Sequence, residues 1–122
     1  MRKMLTLFLV NKESTLLENA VAIHLRRRFG EELYYYKFAK TGIDIDFYLP
    51  GEGCAVQVTF NLEGVGDREI KSLVSFAEKT KGIKRLMIVT DEEEKTITIN
   101  NMTIEVIPVY KLMMTENEQE ID

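Results

Sequence analysis

The stretch IDIDFYLPGEGCAVQVTF, residues 43–60, decides the fold because apolar and polar side chains alternate on both sides of a tight turn. In residues 43–49 the odd positions are apolar, and the even positions carry Asp44, Asp46 and Tyr48. In residues 54–60 the even positions are apolar, and the odd positions include Gln57 and Thr59. A period of two is typical of half-buried strands, and a turn with one proline and two glycines joins them. The stretch therefore predicts two antiparallel strands that each have one apolar face.

The chain before this stretch predicts a third strand and a helix. Residues 33–38 are rich in aromatic side chains and complete a three-strand meander. Apolar residues recur every four positions further upstream and predict a helix over 15–29. Thr15 and Glu18 fit a capping box at its start, and Gly30 fits a left-handed residue after its end.

The chain after this stretch predicts a helix, a buried strand, a hairpin and a short helical turn, in that order. They are expected over 67–80, 86–89, 96–99 paired with 103–109 around Asn100-Asn101, and 110–114. The fold class predicted from these elements is an α/β domain with a mixed sheet. Its order is helix, three-strand meander, helix, strand and C-terminal hairpin.

Three segments of unequal size are expected along the chain. Residues 1–13 are an apolar N-terminal segment, 14–114 form the domain, and 115–122 are an acidic tail. The apolar run Met4–Val10 is expected to be a strand or extended segment that packs on the core. It is too short for a membrane span and has no small-residue cleavage site after it, so a cytoplasmic protein without membrane contact is expected.

Composition excludes several classes of protein. The chain has 122 residues, one cysteine and one histidine, which excludes a disulfide framework and a Cys/His zinc site. The formal net charge is −4, but eight acids lie in the turn 91–94 and the tail, which leaves +4 on the remainder. A local basic patch is therefore compatible with the acidic total.

Common catalytic motifs are absent from the sequence. There is no phosphate-binding Gly-rich loop ending in Gly-Lys-Ser/Thr, and Gly64-Val-Gly66 is too short for a dinucleotide loop. His24 lies within the first predicted helix, where a boundary histidine is favoured over a general base. Cys54 begins a predicted strand on its apolar face, where a small core residue is favoured over a nucleophile.

The remaining polar constellation combines Asp46, Gln57 and Thr59 on neighbouring strands with Glu18 on the first helix. Oxygen ligands from adjacent strands suit a hard cation such as Mg²⁺. Such a site could activate water against a phosphodiester. The alternative is a polar strand face that is solvated or covered by a helix.

Six motifs in a fixed order resemble a known family. They are Leu16-Leu-Glu-Asn-Ala-Val21, Tyr34-Tyr-Tyr-Lys37, Gly42-Ile-Asp-Ile-Asp-Phe47, Gln57-Val-Thr59, Arg68-Glu-Ile-Lys71 and Val106-Ile-Pro-Val-Tyr110. Over residues 14–113 the chain resembles the C-terminal domain of prokaryotic AAA-type ATPases, which is similar to the restriction-endonuclease-like fold of the PD-(D/E)XK superfamily. The resemblance implies an ATPase module in relatives, so this chain is expected to be a remnant or an excised piece.

The resemblance also implies roles for individual residues. Asp46 matches the metal-binding acid of the superfamily, and Glu18 matches the glutamate of its first helix. Gln57 and Thr59 fall where active nucleases have Glu and Lys, so a degenerate catalytic site is expected. Metal binding, if retained, is expected to be weak and to involve Mg²⁺ at Asp46 and Glu18.

Three functions remain open at this stage. The first is a nuclease-like module that binds nucleic acid or a protein partner without robust cleavage. Its expected basic surface is Arg26, Arg27, Arg28, Lys37 and Lys40, with Tyr34 and Tyr36 as stacking groups. The second is an active Mg²⁺- or Mn²⁺-dependent endonuclease. The third is an oligomerisation or interaction domain, for example a homodimer formed by the apolar N-terminus and the hairpin at 96–109.

Overall fold

A computed structural model describes residues 2–38, 43–62 and 67–114. Two α-helices, α1 (Arg2–Phe29) and α2 (Asp67–Lys79), accompany a six-stranded sheet, and a one-turn 3₁₀ helix follows α1 at Gly30–Glu32. The strands are β1 (Tyr34–Phe38), β2 (Ile43–Leu49), β3 (Cys54–Val58), β4 (Arg85–Thr90), β5 (Lys95–Ile99) and β6 (Met102–Pro108). A short helix follows at 109–114. No described helix combines the length and hydropathy that a membrane crossing requires.

The sheet is mixed, with strand order β1-β2-β3-β4-β6-β5. The central strands β3, β4 and β6 are parallel, whereas β1, β2 and β5 pair antiparallel with their neighbours. Both faces of β3 and nearly all of β4 are buried, because α1 covers one face of the sheet and α2 covers the other. The predicted α/β class, with its meander, second helix, buried strand and hairpin, is confirmed.

Local sequence signals locate the chain reversals correctly. Asn100 and Asn101 both have positive φ angles, of 50° and 63°, as a two-residue hairpin turn with the twist of the flanking strands requires. Gly30 follows α1 with a φ of 59°, which confirms its predicted left-handed conformation. The predicted elements match the observed ones to within one or two residues from β1 onward.

The N-terminal prediction is wrong. Residues 2–10 are helical instead of extended, and α1 begins at Arg2 instead of Thr15. No glycine or proline occurs before Gly30, and the Leu, Met, Lys and Arg residues of this segment are good helix formers, so nothing in the sequence ends the helix. Thr15 lies inside α1, so the capping-box prediction is also wrong.

The pattern of burial along β2 is confirmed, but its buried side chains are divided between two clusters. Ile43 and Ile45 belong to the cluster on the α2 side, whereas Phe47 and Leu49 belong to the cluster on the α1 side. The change occurs at Asp46, whose carboxylate bonds to the backbone of β3. The side chain of Asp46 therefore lies in the gap between the two strands, which rotates β2 locally.

Candidate functional site

A small polar cavity lies between β2, β3 and the first turns of α2. Its volume is about 130 Å³. We call it the carboxylate pocket, and it is lined by Asp44, Asp46, Gln57, Val58, Arg68, Glu69 and Ser72. The structure therefore brings Asp46 and Gln57 together, as the sequence predicted.

The side chain of Gln57 connects β3 to the backbone of β2 on both sides of Ile45. Its Oε1 accepts the backbone N–H of Asp46 at 2.9 Å, and its Nε2 donates to the carbonyl of Asp44 at 2.7 Å. The side chain is almost fully buried. A buried amide with both ends bonded to backbone acts as a cross-strand clamp, because it replaces ladder hydrogen bonds where β2 and β3 separate.

Asp46 is held in the same gap. Its Oδ2 accepts the backbone N–H of Val58 at 2.8 Å. Burial raises the pKa of this carboxyl to about 7, and the nearby charges of Glu18, Asp44 and Glu69 act in the same direction. The hydrogen bond from Val58 opposes the shift without cancelling it. The Asp46 carboxyl is therefore protonated at a much higher pH than an ordinary aspartate.

Three charged lining residues were not among the sequence-based site candidates: Asp44, Arg68 and Glu69. The guanidinium of Arg68 lies 3.9 Å from the carboxylate of Asp44, and both side chains are partly exposed. Asp44 Oδ1 and Glu69 Oε2 are buried atoms without a hydrogen-bond partner among the described residues. The repeat Ile-Asp-Ile-Asp signalled Asp44. Glu69 lies within the Arg68-Glu-Ile-Lys71 motif, but only the packing of α2 on β2 brings it to the pocket.

Thr59 and Glu18 do not line the carboxylate pocket. β3 ends at Val58, and the hydroxyl of Thr59 donates to the carbonyl of Asn61 at 3.4 Å. The prediction that Thr59 joins Asp46 and Gln57 in one site is therefore corrected. Glu18 is exposed on α1, and its charge still raises the pKa of Asp46. Glu18 therefore influences the pocket through its charge and does not line it.

Mg²⁺, which the nuclease resemblance implies, fits these residues poorly. Both polar atoms of Gln57 and one oxygen of Asp46 are bonded to backbone, and Glu18 lies outside the pocket. Within the described residues, no group of three or more His, Cys, Asp or Glu side chains could hold a metal ion. This arrangement of donors therefore supports no catalytic step through a bound metal.

The predicted basic surface is partly described. Arg26, Arg27 and Arg28 are exposed in the last turn of α1. Arg28 lies about 15 Å along the helix axis from Glu18, because it is ten positions further along α1 and each position rises about 1.5 Å. Lys40 and the side chains of Lys37 and Tyr36 lie outside the described residues, whereas Tyr34 is exposed on β1.

A second and larger cavity lies on the opposite face of the sheet, between the C-terminal half of α1 and the helix at 109–114. Its volume is about 220 Å³. We call it the α1 groove, and it is lined by His24, Leu25, Arg28, Phe29, Leu49, Glu52, Cys54, Val56, Arg85, Met87, Ile107 and Leu112. Burial raises the pKa of the Cys54 thiol to about 11, as expected of a core residue.

No family model, curated protein or solved structure matches this chain. The fold is established at the level of an α/β domain with a mixed six-stranded sheet.

Proposed function

We propose that this chain is a nuclease-like domain that binds nucleic acid through the C-terminal end of α1 and does not cleave it efficiently. The observation that carries the proposal is the Gln57 clamp. The resemblance places Gln57 where an active nuclease has a metal-binding glutamate, and both polar atoms of this side chain are bonded to backbone. Because both polar atoms of Gln57 bond to the backbone of β2, neither is available to coordinate a metal ion.

The other parts of the pocket support the same conclusion. Thr59 falls where the resemblance expects a lysine, and its hydroxyl bonds to Asn61 instead of facing Asp46. A neutral hydroxyl cannot supply the positive charge that orients water at a phosphate. Asp46 has a pKa of about 7, so it is a weaker metal ligand at neutral pH than an ordinary aspartate.

Charge favours the end of α1 over the carboxylate pocket as the binding surface. Asp44, Asp46 and Glu69 surround the pocket and repel phosphate, and Arg68 is the one cation among its lining residues. Arg26, Arg27 and Arg28 present three exposed guanidinium groups in a single turn of helix. Guanidinium groups bind phosphate with paired N–H donors, and release of counterions from the nucleic acid adds to the affinity.

Salt-dependent binding of labelled DNA tests this proposal. We expect the triple variant Arg26→Ala, Arg27→Ala, Arg28→Ala to weaken binding at low salt about tenfold or more. It should also reduce the slope of log affinity against log salt by about two, because phosphate contacts are lost. The readout is fluorescence anisotropy over a salt titration.

The matched control is the triple variant Lys79→Ala, Lys81→Ala, Lys84→Ala. These lysines are exposed at and beyond the end of α2, and their removal lowers the net charge equally. We expect their loss to weaken binding less than threefold, as a general charge effect would. Equal loss of affinity in both triple variants would contradict a localised site, and absence of binding by the wild-type protein would refute the proposed function.

A second candidate, an active endonuclease, is favoured by one observation. Asp44 Oδ1 and Glu69 Oε2 are buried without hydrogen-bond partners among the described residues, next to Asp46. Unpartnered carboxylate oxygens are costly to bury and are commonly found at functional sites. An active enzyme would cleave DNA with Mg²⁺ or Mn²⁺ and would lose that cleavage in Asp46→Asn.

A further inference from the structure

The α1 groove has an apolar floor made by the central strands. Val56 and Met87 are almost fully buried beneath it, and Cys54 lies beside them. One wall is the last turns of α1 with Phe29, and the opposite wall includes Leu112 of the C-terminal helix. The groove therefore has an apolar floor between two helices, and charged side chains also line it.

The size of the α1 groove restricts its occupant. Its volume of about 220 Å³ is below the roughly 300–1,000 Å³ typical of pockets for drug-sized ligands. A cavity of this volume can accommodate a single planar ring system. Nucleobases have this shape, and apolar and aromatic side chains bind their faces regardless of base identity.

The charged side chains around the mouth of the groove differ in whether an opposite charge compensates them. Arg85 bonds through Nε to Glu105, so its charge is largely compensated, and Glu52 adds a negative charge to the rim. Arg28 has no carboxylate partner among the described residues, and its guanidinium carbon lies 5.2 Å from the centre of the Phe29 ring. The ring holds the guanidinium at the mouth of the groove, where it can meet an anion.

We propose that the α1 groove binds one unstacked nucleotide of a single-stranded nucleic acid. The base lies on the apolar floor beside Phe29, and its phosphate contacts Arg28. Arg26 and Arg27 then contact neighbouring phosphates. A base within a duplex is stacked and paired, so it cannot enter the groove without being flipped out. This proposal rests on the proposed function and specifies its substrate class as single-stranded.

A groove-filling variant tests the proposal. Leu112→Trp introduces a large side chain from the half-buried edge of the groove, and Met113→Trp makes the same change at the next residue, which does not line it. We expect Leu112→Trp to weaken binding of a short mixed-sequence single strand about tenfold and to leave duplex binding unchanged. Met113→Trp should change neither, and circular dichroism checks that both variants are folded.

Cys54 provides a second measurement on the wild-type protein, because it is the only cysteine and it lines the groove. We expect a saturating single strand to slow its modification by a small thiol reagent at least fivefold more than the same sequence as a duplex. The duplex corrects for general stabilisation of the fold by binding. Equal protection by both forms, or an unchanged single-strand affinity in Leu112→Trp, would overturn the groove proposal while leaving the proposed function intact. Failure of the wild-type protein to bind either form would refute the proposed function itself.

Discussion

The carboxylate pocket and the α1 groove lie on opposite faces of the same sheet, and β3 contributes to both. The pocket is negative, and its central amide, Gln57, bonds to the backbone at both ends. The groove is apolar, and its guanidinium Arg28 has no acidic partner among the described residues. The pocket is the place to which the sequence motifs point. The groove instead presents the guanidinium of Arg28 at its edge.

Asp46 and Gln57, which carry the resemblance, make hydrogen bonds that join two separating strands. A residue pattern that resembles a catalytic motif can therefore have a structural role, and function has to be argued from the contacts of the site itself. The groove residues form no recognisable motif, because they come from separate elements of the chain.

The largest expected effect concerns Asp46 and pH. Between pH about 4 and about 7 the folded state keeps a proton on Asp46 that the unfolded state has released, so the free energy of unfolding falls as pH rises. The pKa of Asp46 is raised from 3.8 to about 7, and each pKa unit corresponds to about 1.4 kcal/mol. The free energy of unfolding is therefore expected to fall by at most about 4 kcal/mol by pH 8. Asp46→Asn removes this loss and keeps an acceptor for the Val58 N–H. We expect the variant to be more stable than the wild type at pH 8 and equally stable near pH 4, measured by urea denaturation.

Asp44→Asn is the control for this prediction. Asp44 lies two residues away on β2, and its side chain is 36% exposed. We expect its stability to differ from the wild type by less than about 1 kcal/mol at either pH. Equal free energies of unfolding for Asp46→Asn and the wild type at pH 8 would show that ionising Asp46 does not destabilise the folded state. That result would contradict the raised pKa of Asp46.

The next effect concerns the Gln57 clamp. Gln57→Ala leaves the N–H of Asp46 and the carbonyl of Asp44 without their partner in a buried gap, which we expect to lower the free energy of unfolding by about 3 kcal/mol. Thr59→Val is the control, because its hydroxyl makes one long hydrogen bond and should contribute less than about 1 kcal/mol.

Gln57→Glu tests the same hydrogen bonds, because it introduces the residue type that the nuclease resemblance implies at this position. The ionised glutamate cannot donate to the Asp44 carbonyl and adds a negative charge beside Asp46, so we expect marked destabilisation at pH 8. At pH 4 a protonated glutamate can donate again, and the loss should be smaller. A Gln57→Glu protein as stable as the wild type at pH 8 would contradict the clamp.

Most of the fold could be predicted from sequence because its signals are local. Alternation in 43–60, helical spacing in 67–79 and the Asn100-Asn101 turn each specify one element through neighbours in the chain. The N-terminal segment was misassigned because an apolar run without glycine or proline has no feature that separates strand from helix. The helix there reflects the propensity of its residues.

The candidate sites were less predictable because they depend on packing between elements. Asp46 and Gln57 were found because adjacent strands of a meander pair in a known order. That Glu69 lines the pocket and Arg28 lines the groove depends on where α2 and the end of α1 pack, which the local sequence does not specify. The clamp was missed because the sequence does not show that β2 and β3 separate at Asp46.

A smaller effect concerns the turn between β2 and β3, which ends at Gly53. Gly53 has a φ of 64°, and its carbonyl accepts the backbone N–H groups of Lys84 and Arg85. An added Cβ would lie 2.4 Å from the carbonyl oxygen of Gly82, whereas at Gly30, with a φ of 59°, nothing lies within 4 Å. We expect Gly53→Ala to be about 2 kcal/mol more destabilising than Gly30→Ala in thermal or urea denaturation. Equal losses would show that only the positive φ matters.

The most direct test of the central claim follows binding and cleavage of labelled DNA in one native gel experiment with Mn²⁺. It uses wild type, Asp46→Asn and the triple arginine variant. We predict that wild type and Asp46→Asn shift the DNA equally and leave it intact, and that the triple variant needs at least about tenfold more protein to produce the same shift. Cleavage by the wild type that disappears in Asp46→Asn would contradict the account and establish the carboxylate pocket as an active site.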